Sequence, residues 1–589
     1  MALFQPQFTG NSLTARTVGR DRRALAIVLL ITIFIFGGIG SRLAYLQLIE
    51  GEHLQQLAER NRIRVIPKQP ERGNIFDRNG KVLASSRLSH AVYIWPQAPK
   101  KDTWATTRTR LASILKIPET EIQQRLDKAG YNSPNLVRIA RDLNPAQITA
   151  LAEYRNELRD VEVYIEAVRN YPNQQIAAHI LGYTGEMNDE ELAQKRSEGY
   201  RLGDIVGQMG VEAAFEKQLR GEWGGQQVEV DGAGQILRLL GEKTAKSGRD
   251  VHLTLDLELQ KAAEVALGDR QGAIVALDPN NGAVLAMVSR PAFDPNIFSK
   301  RITPEIWQQL QSKQHPFVNR ALQSFPPAST FKVITTTAGI ESGKFSHNAT
   351  LPTYGCMNIG GTTFCDWNRA GFGRLGFVGA LAWSSNTFFY QIGKGVGEST
   401  LIDWTRRYGF GKKTGIELAS EESAGLVADD RWKQKNLNLP WSVGDTVNMS
   451  IGQGFLQVTP LQLAVMFAVP ANGGYRVQPH LLKDNEDSKN WRESLNLKPE
   501  TVRVLRQGLR QVVSGGTGQV LNLPTIPPVA GKSGTAQAFG KQAHAWFGAY
   551  APADKPEIVV VAFAEHSGGG GGKVAAPMVL KVLEAYFKK

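Results

Sequence analysis

The sequence predicts an α+β protein in three parts: a single N-terminal transmembrane helix, an elongated mixed pedestal domain, and a C-terminal domain with an antiparallel five-stranded sheet flanked by helices. Three observations lead there. Residues 24–40, ALAIVLLITIFIFGGIG, are an uncharged run of 17 that extends past Arg42 to Leu48, long enough to span a bilayer. Residues 49–250 alternate short strand-like and helical stretches without recognisable chemistry. From Val251 the chain opens with two strands, passes through long helices and closes with three strands. One antiparallel sheet built from both ends of a domain, with helices on its faces, satisfies that order. At 589 residues and 42% hydrophobic composition, the chain exceeds what one core organises.

Arg16, Arg20, Arg22 and Arg23 precede the apolar run against a single Asp21, while Glu50 and Glu52 follow it. The positive-inside bias leaves residues 1–23 as a cytoplasmic tail, residues 24–48 as the anchor, and everything beyond outside the cytoplasm. A cleaved signal would have a shorter core and an A-x-A-like site, which GGIGSRLAYLQ does not offer, so the anchor is expected to be retained. The net charge of +13 is scattered, with no basic stripe interleaved with aromatics, and argues for a solvated surface rather than a nucleic-acid partner.

In the pedestal, Asn79-Gly80 marks a hairpin between two short strands. Apolar residues at three and four spacing make residues 100–160 helical. The strand VEVYIEAVRNYP follows, and then a helix ended by Gly221. In the C-terminal domain, residues 251–589, GAIVALDPNNGAVLAMVS reads as a hairpin turning at residues 279–282. PVAGKSGTAQAF, HAWFGAYAP and EIVVVAFAE are the closing strands, and a terminal helix is expected from about Ala576. The tract SGGGGGK, residues 567–573, reads as a flexible loop. Only two cysteines occur, in YGCMNIGGTTFCDW. An exported compartment permits a Cys356–Cys365 disulfide stapling a short hairpin, with two free thiols as the alternative. A metal site would need more ligands than this pair and Asp366 supply.

The chemistry starts at SFPPASTFKVITTTAGIES, where Ser329 and Lys332 are three apart in an apolar run. On a helix the two share a face, so a hydroxyl nucleophile and an amine base would converge. The amine serves as base only if it is neutral, which apolar burial and a nearby second cation both favour. The spacing is weak evidence by itself, because Ser113 and Lys116 match it on what reads as an exposed helix face. WSSNTFFYQIG adds Ser384 and Asn386, and AGKSGTAQAF adds Lys532, Ser533, Gly534 and Thr535. These too have decoys: Ser-x-Asn recurs at Ser133, Ser346, Ser488 and Ser494, and Lys-Ser/Thr-Gly at Lys246 and Lys413. Only one combination runs in order within one domain, with Lys532 opening a strand in which Gly534 permits close approach to the backbone.

In sequence and spacing, Ser329-Thr-Phe-Lys332, Ser384-Ser-Asn386 and Lys532-Ser-Gly534-Thr535 resemble the S-x-x-K, S-x-N and K-T/S-G set of penicillin-binding proteins and serine β-lactamases. RGNIFDRNGKVLA, GVEAAFEKQLRG, GDTVNMSIGQGFLQVTPLQLA and HAWFGAYAP look like landmarks of class B penicillin-binding proteins. NYPNQQIAAHILGYTGE and the closing HSGGGGGKVAAP look like the elongation branch. The resemblance implies a D,D-transpeptidase that cross-links peptidoglycan stem peptides, needs no cofactor or metal, and is acylated by β-lactams. It implies Ser329 as nucleophile and Lys332 as base, with the Ser329 and Thr535 amides holding the oxyanion. Ser384 would relay a proton, Asn386 would position Lys332 and the substrate amide, and Lys532 would help keep Lys332 neutral. Ser533 and Thr535 would hold the terminal carboxylate, and Ser385 would point away from the pair flanking it. It also implies a single-pass cytoplasmic-membrane protein whose catalytic domain is extracytoplasmic, working with a polytopic SEDS-type glycan polymerase and other elongation proteins.

Four other readings compete. A septal class B transpeptidase would share the architecture. A β-lactamase or D,D-carboxypeptidase would deliver the acyl group to water, and a β-lactam sensor would signal through its anchor, but neither needs a pedestal of this size. A scaffold that activates a partner polymerase is compatible with a working site, and loss of the nucleophile separates the two.

Overall fold

The computed structural model describes residues 14–52, 63–131, 133, 136–201, 203–230, 236–484, 487, 490–538 and 540–588. The chain forms two compact units, Met1–Gln69 with Trp223–Ala245 and Pro70–Glu222 with Lys246–Lys589.

In the first unit, helix α1 (Thr14–Ala44) continues into a π-helical turn, Tyr45–Ile49. Its stretch Ala24–Ile49 is long and apolar enough to cross a membrane. Large side chains such as Leu25, Phe34 and Phe36 are fully outward-facing there, and the helix satisfies its own backbone groups, as a lipid-exposed segment requires. Of the expected cytoplasmic tail, residues 1–13 lie outside the described residues. The unit's strands form a three-stranded antiparallel sheet in the order Ile63–Lys68, Gly224–Val230, Ile236–Lys243.

In the second unit, the strand Val82–Ile94 follows the Asn79-Gly80 turn and pairs antiparallel with Val161–Asn170 along its length. Helices Trp104–Leu115, Glu119–Ala129 and Pro145–Glu153 cover this sheet through Val92, Ile94, Leu111, Ile122 and Leu126. Beside it, Arg72 and Arg169 bracket the fully buried Glu212 at 2.6 and 2.5 Å, and Tyr171 donates to the same carboxylate. A carboxylate buried this deeply stays ionised only with such partners. The guanidinium pair indeed holds Glu212 below its usual range against the opposing effect of burial.

The catalytic half begins with α2 (Leu257–Leu267), capped by Asp256. Strands β1 (Gly272–Leu277) and β2 (Val284–Arg290) follow, then helices α3 (Lys332–Glu341), α4 (Asn386–Val396), α5 (Pro460–Ala471) and α6 (Pro499–Gly515). Strands β3 (Ala530–Ala538), β4 (Lys541–Ala551) and β5 (Ile558–Ala564) and helix α7 (Gly571–Phe587) close the chain. The five strands make one antiparallel sheet in the order β2-β1-β5-β4-β3.

This sheet is apolar on both faces, because period-2 alternation serves two cores. Ala273, Val275, Leu277, Val559, Val561 and Phe563 face one core with α5, while Ile274, Ala276, Val560 and Ala562 face the other with α2 and α7. Helix α5 is buried on every side, and a side chain at Gly548 would collide with its Phe467 ring. The terminal helix starts at Gly571 rather than near Ala576, so the glycine tract is half helix rather than wholly loop. Within that tract Gly571 and Gly572 lie against backbone, where a Cβ would collide with Trp546 O and Thr517 O respectively.

Candidate active site

The turn carrying Ser329 is clamped from three sides. Ala328 has φ of 50° and donates its N–H to Gly452 O at 2.8 Å, and a Cβ at Gly452 would collide with the Ala328 carbonyl. Trp546 Nε1 donates to Pro326 O at 3.0 Å, and Thr330 Oγ1 donates to Pro327 O at 2.6 Å. A Cβ on Gly534 would stand 3.1 Å from both Pro327 O and Thr330 Cγ2. What Gly534 admits is thus the turn that carries Ser329, where the sequence suggested only a substrate. A left-handed backbone at Ala328, next to a half-buried serine, stores strain that the surroundings must impose.

Lys332 is wholly buried. Its Nζ donates to Ser384 O at 2.8 Å and to Asn386 Oδ1 at 2.7 Å, with Ser384 Oγ 3.3 Å away. The expected Ser329–Lys332 hydrogen bond is absent among the described residues. The amine is engaged instead by Ser384 O and Asn386 Oδ1, while Ser329 lies in the 3-10 segment Ala328–Phe331 before the α-helix that Lys332 begins. Asn386 is fixed the right way round, since its Nδ2 donates to Cys365 O at 3.3 Å and its oxygen must then face the lysine. Ser384 itself sits at φ of 56°, a second strained residue at the same site.

Two of three amine positions therefore meet oxygens that only accept. A neutral amine fits this, with two N–H groups donated and the lone pair free toward a hydroxyl. Burial pulls Lys332 down to about 7, with the Asp366 charge opposing. The Phe389 ring, 5.4 Å from Nζ, also favours the charged form modestly. Lys532, fully buried on β3, donates to Ser533 O at 3.0 Å. Burial first and the nearby Lys332 second push it well below the ordinary lysine range. Burial is the first cause at both amines, and their charges disfavour one another.

Along β3, Ser533 Oγ and Thr517 Oγ1 are 2.7 Å apart, and Gly571 N donates to the exposed Thr535 Oγ1 at 3.3 Å. A Cβ at Gly571 would collide with Trp546 O and press on both Gly534 O and Gly534 N. The glycine tract thus ends as a helix N-terminus laid against the KSGT strand. A Gly571→Ala substitution should cut the second-order rate of penicillin acylation about tenfold, combining one lost hydrogen bond of about 1 kcal/mol with displacement of β3. Stopped-flow labelling with a fluorescent penicillin measures it.

Behind the S-S-N segment lies the hairpin Cys356–Ile359 and Thr362–Cys365, closed by a Cys356–Cys365 disulfide. Asp366 follows it, 2% exposed, and accepts from Ser385 Oγ at 2.8 Å, Thr387 N at 3.1 Å and Thr387 Oγ1 at 3.2 Å. Ser385 does turn from Lys332, but it is fully buried, holds Asp366 and caps α4 at Phe388 N, so its identity matters more than the sequence indicated. Asp366 and Thr517 were missed as site residues, and neither belongs to a spaced motif. Position one residue after Cys365 was the only available signal for Asp366.

The decoys stay apart. Ser113 is exposed on its helix, and Lys116 lies past the end at φ of 56°. Lys413 donates to Ala419 O in a loop that leads to no adjacent strand. His544 accepts from His566 N at 3.1 Å, and Asp445 completes a capping box with Ser442 and pairs with Lys433 at 2.5 Å.

The chain is similar to known proteins over both its pedestal and its C-terminal part. Residues 272–584 match the penicillin binding protein transpeptidase domain, and residues 67–253 match the penicillin-binding protein dimerisation domain. Peptidoglycan D,D-transpeptidase MrdA of Haemophilus influenzae is 33% identical over 602 residues, spanning 96% of this chain and 92% of that one. Among solved structures, the penicillin-binding protein PBP2 of Helicobacter pylori, in complex with MreC, aligns with a TM-score of 0.81 at 28% identity over 89% of this chain and 99% of that one. A peptidoglycan synthase complex that coordinates polymerization and crosslinking aligns with a TM-score of 0.71 at 33% identity, over 96% and 98%.

Proposed function

Because the chain belongs to the penicillin-binding protein family and is a serine-type peptidoglycan D,D-transpeptidase of the PBP2 kind, we propose that Ser329 is its nucleophile and Lys332 its base. The enzyme cross-links stem peptides during wall elongation and is a target of β-lactams. The observation that carries the residue assignment is the meeting of Lys332 Nζ with Ser384 and Asn386 beside the turn that bears Ser329.

Neutral Lys332 takes the Ser329 proton as Oγ attacks the carbonyl carbon of the penultimate D-Ala. The amides of Ser329, in the first turn of its 3-10 segment, and of Thr535 receive the oxyanion. The proton then passes through Ser384 Oγ to the departing nitrogen; the C–N bond breaks and the terminal D-Ala leaves. An amine of a neighbouring stem attacks the ester, its proton returns to Ser329 by the same route, and the cross-link is complete. β3 is an edge strand, so part of its backbone N–H and C=O groups are open to an extended peptide. Ser533 and Thr535 hold the terminal carboxylate, with Lys532 beside them gaining a proton partner when that anion arrives.

The chain is anchored by one membrane helix. Its placement in the cytoplasmic membrane with the catalytic half outside rests on the arginines before the helix and the glutamates after it. A partnership with a polytopic SEDS-type polymerase is supported by the likeness to the synthase complex, and one with MreC by the Helicobacter likeness.

The test is peptide mapping of the acyl-enzyme formed with labelled penicillin, together with its lifetime. The label is expected on Ser329 and should persist for many minutes. Label on another residue overturns the assignment of nucleophile, and release of hydrolysed drug within seconds overturns transpeptidation in favour of hydrolysis.

A further inference from the structure

Resting on that reading of the site, we propose that Asp366 is a positioning residue: the disulfide-closed hairpin carries its carboxylate beneath the S-S-N segment, where it holds Ser385 and Thr387 and so sets Ser384 and Asn386 against Lys332. Ser385 and Thr387 alternate with the two residues that touch the lysine. Each of them is bound to Asp366 Oδ2, at 2.8 Å from the Ser385 hydroxyl and at 3.1 and 3.2 Å from the Thr387 amide and hydroxyl. The other oxygen accepts from Trp367 N at 2.9 Å, so the carboxylate is itself locked. The residue before it completes the frame, because Cys365 O accepts from Asn386 Nδ2 at 3.3 Å and from Tyr390 OH at 3.4 Å. One short stretch, Cys365-Asp366, therefore contacts Ser385, Asn386, Thr387 and Tyr390.

The charge has a second consequence. Thr387 N is in the first turn of α4, where the orphan N–H groups and the helix dipole favour a carboxylate partner such as Asp366. The ionisable groups facing Lys332 are Asp366 from the hairpin and Lys532 from β3, with Tyr390 on α4, which burial and then Asp366 push up to about 12. Of these, Asp366 alone supports a proton on Lys332. Burial makes the lysine neutral, and Asp366 keeps it from becoming too weak a base to accept the serine proton, since proton-transfer efficiency follows base strength.

The experiment follows the rate of fluorescent-penicillin acylation against pH in the full-length, detergent-solubilised protein, for wild type, Asp366→Asn and Ser385→Ala. Asn fills the same volume without the charge. Asp366→Asn should lower the plateau rate about tenfold, within the range of general-base effects, and move the acid limb to lower pH. Ser385→Ala leaves the charge in place, so its plateau should fall while its acid limb stays with wild type. An Asp366→Asn limb that coincides with wild type overturns the electrostatic role. A wild-type plateau in Ser385→Ala overturns the positioning route, and it does so even if Asp366→Asn does not fold. Failure of the wild type to label at all would sink the underlying reading instead, which separates the two failures.

Discussion

A Ser329→Ala enzyme should show no covalent penicillin label, with acylation falling on the order of 10^6-fold, the scale seen when a serine nucleophile is removed from a working triad. The fold should survive, because the turn is held by backbone and by neighbours: Ala328 N on Gly452 O, Trp546 Nε1 on Pro326 O, Thr330 Oγ1 on Pro327 O. Denaturation midpoints of the two proteins should therefore agree. Cells carrying the variant as their only copy should lose normal rod growth, even though its other surfaces are intact. Normal shape in such cells would mean that the chain acts as a scaffold and that its chemistry is dispensable.

The two halves of this site were unequally legible. That one sheet joins both ends of the domain could be read because β1 and β5 are short, unbroken apolar runs at opposite ends of it, and pairing across that distance buries both faces. The three motifs could be read because their residue types are chemically uncommon together, although each recurs elsewhere in the chain. What escaped was whatever depends on where loops return. Asp366 is one acidic residue among 55 Asp and Glu, and nothing local marks it as the partner of Ser385 and Thr387. The glycine tract looks like a linker by composition. Its glycines are there instead because Gly534 and Trp546 backbone atoms leave no room for a Cβ at Gly571. Spacing along the helix also could not show that the Lys332 amine turns to Ser384 and Asn386, which lie more than 50 residues away in sequence.

Replacing Lys332 by Ala should cost about 10^2- to 10^4-fold in acylation, the usual contribution of a positioned general base, and should flatten the pH profile. The sign follows from burial. An ordinary lysine near 10.5 would be unprotonated in only about 1 of 3,000 molecules at pH 7, too few to serve as base, whereas one at about 7 is half free base. Wild-type acylation should therefore rise with pH through about 7 and level off above it, because only the neutral amine can accept the Ser329 proton. Lys532 is lowered as well, by burial first and the nearby Lys332 charge second, whereas burial is the cause that lowers Lys332. Lys532→Ala should thus weaken carboxylate binding and leave the midpoint of the acid limb close to wild type. A Lys332→Arg enzyme separates charge from basicity, since guanidinium cannot shed its proton. If Arg restored the rate lost in Ala, the side chain would be acting as a cation, and the neutral-base account would be wrong.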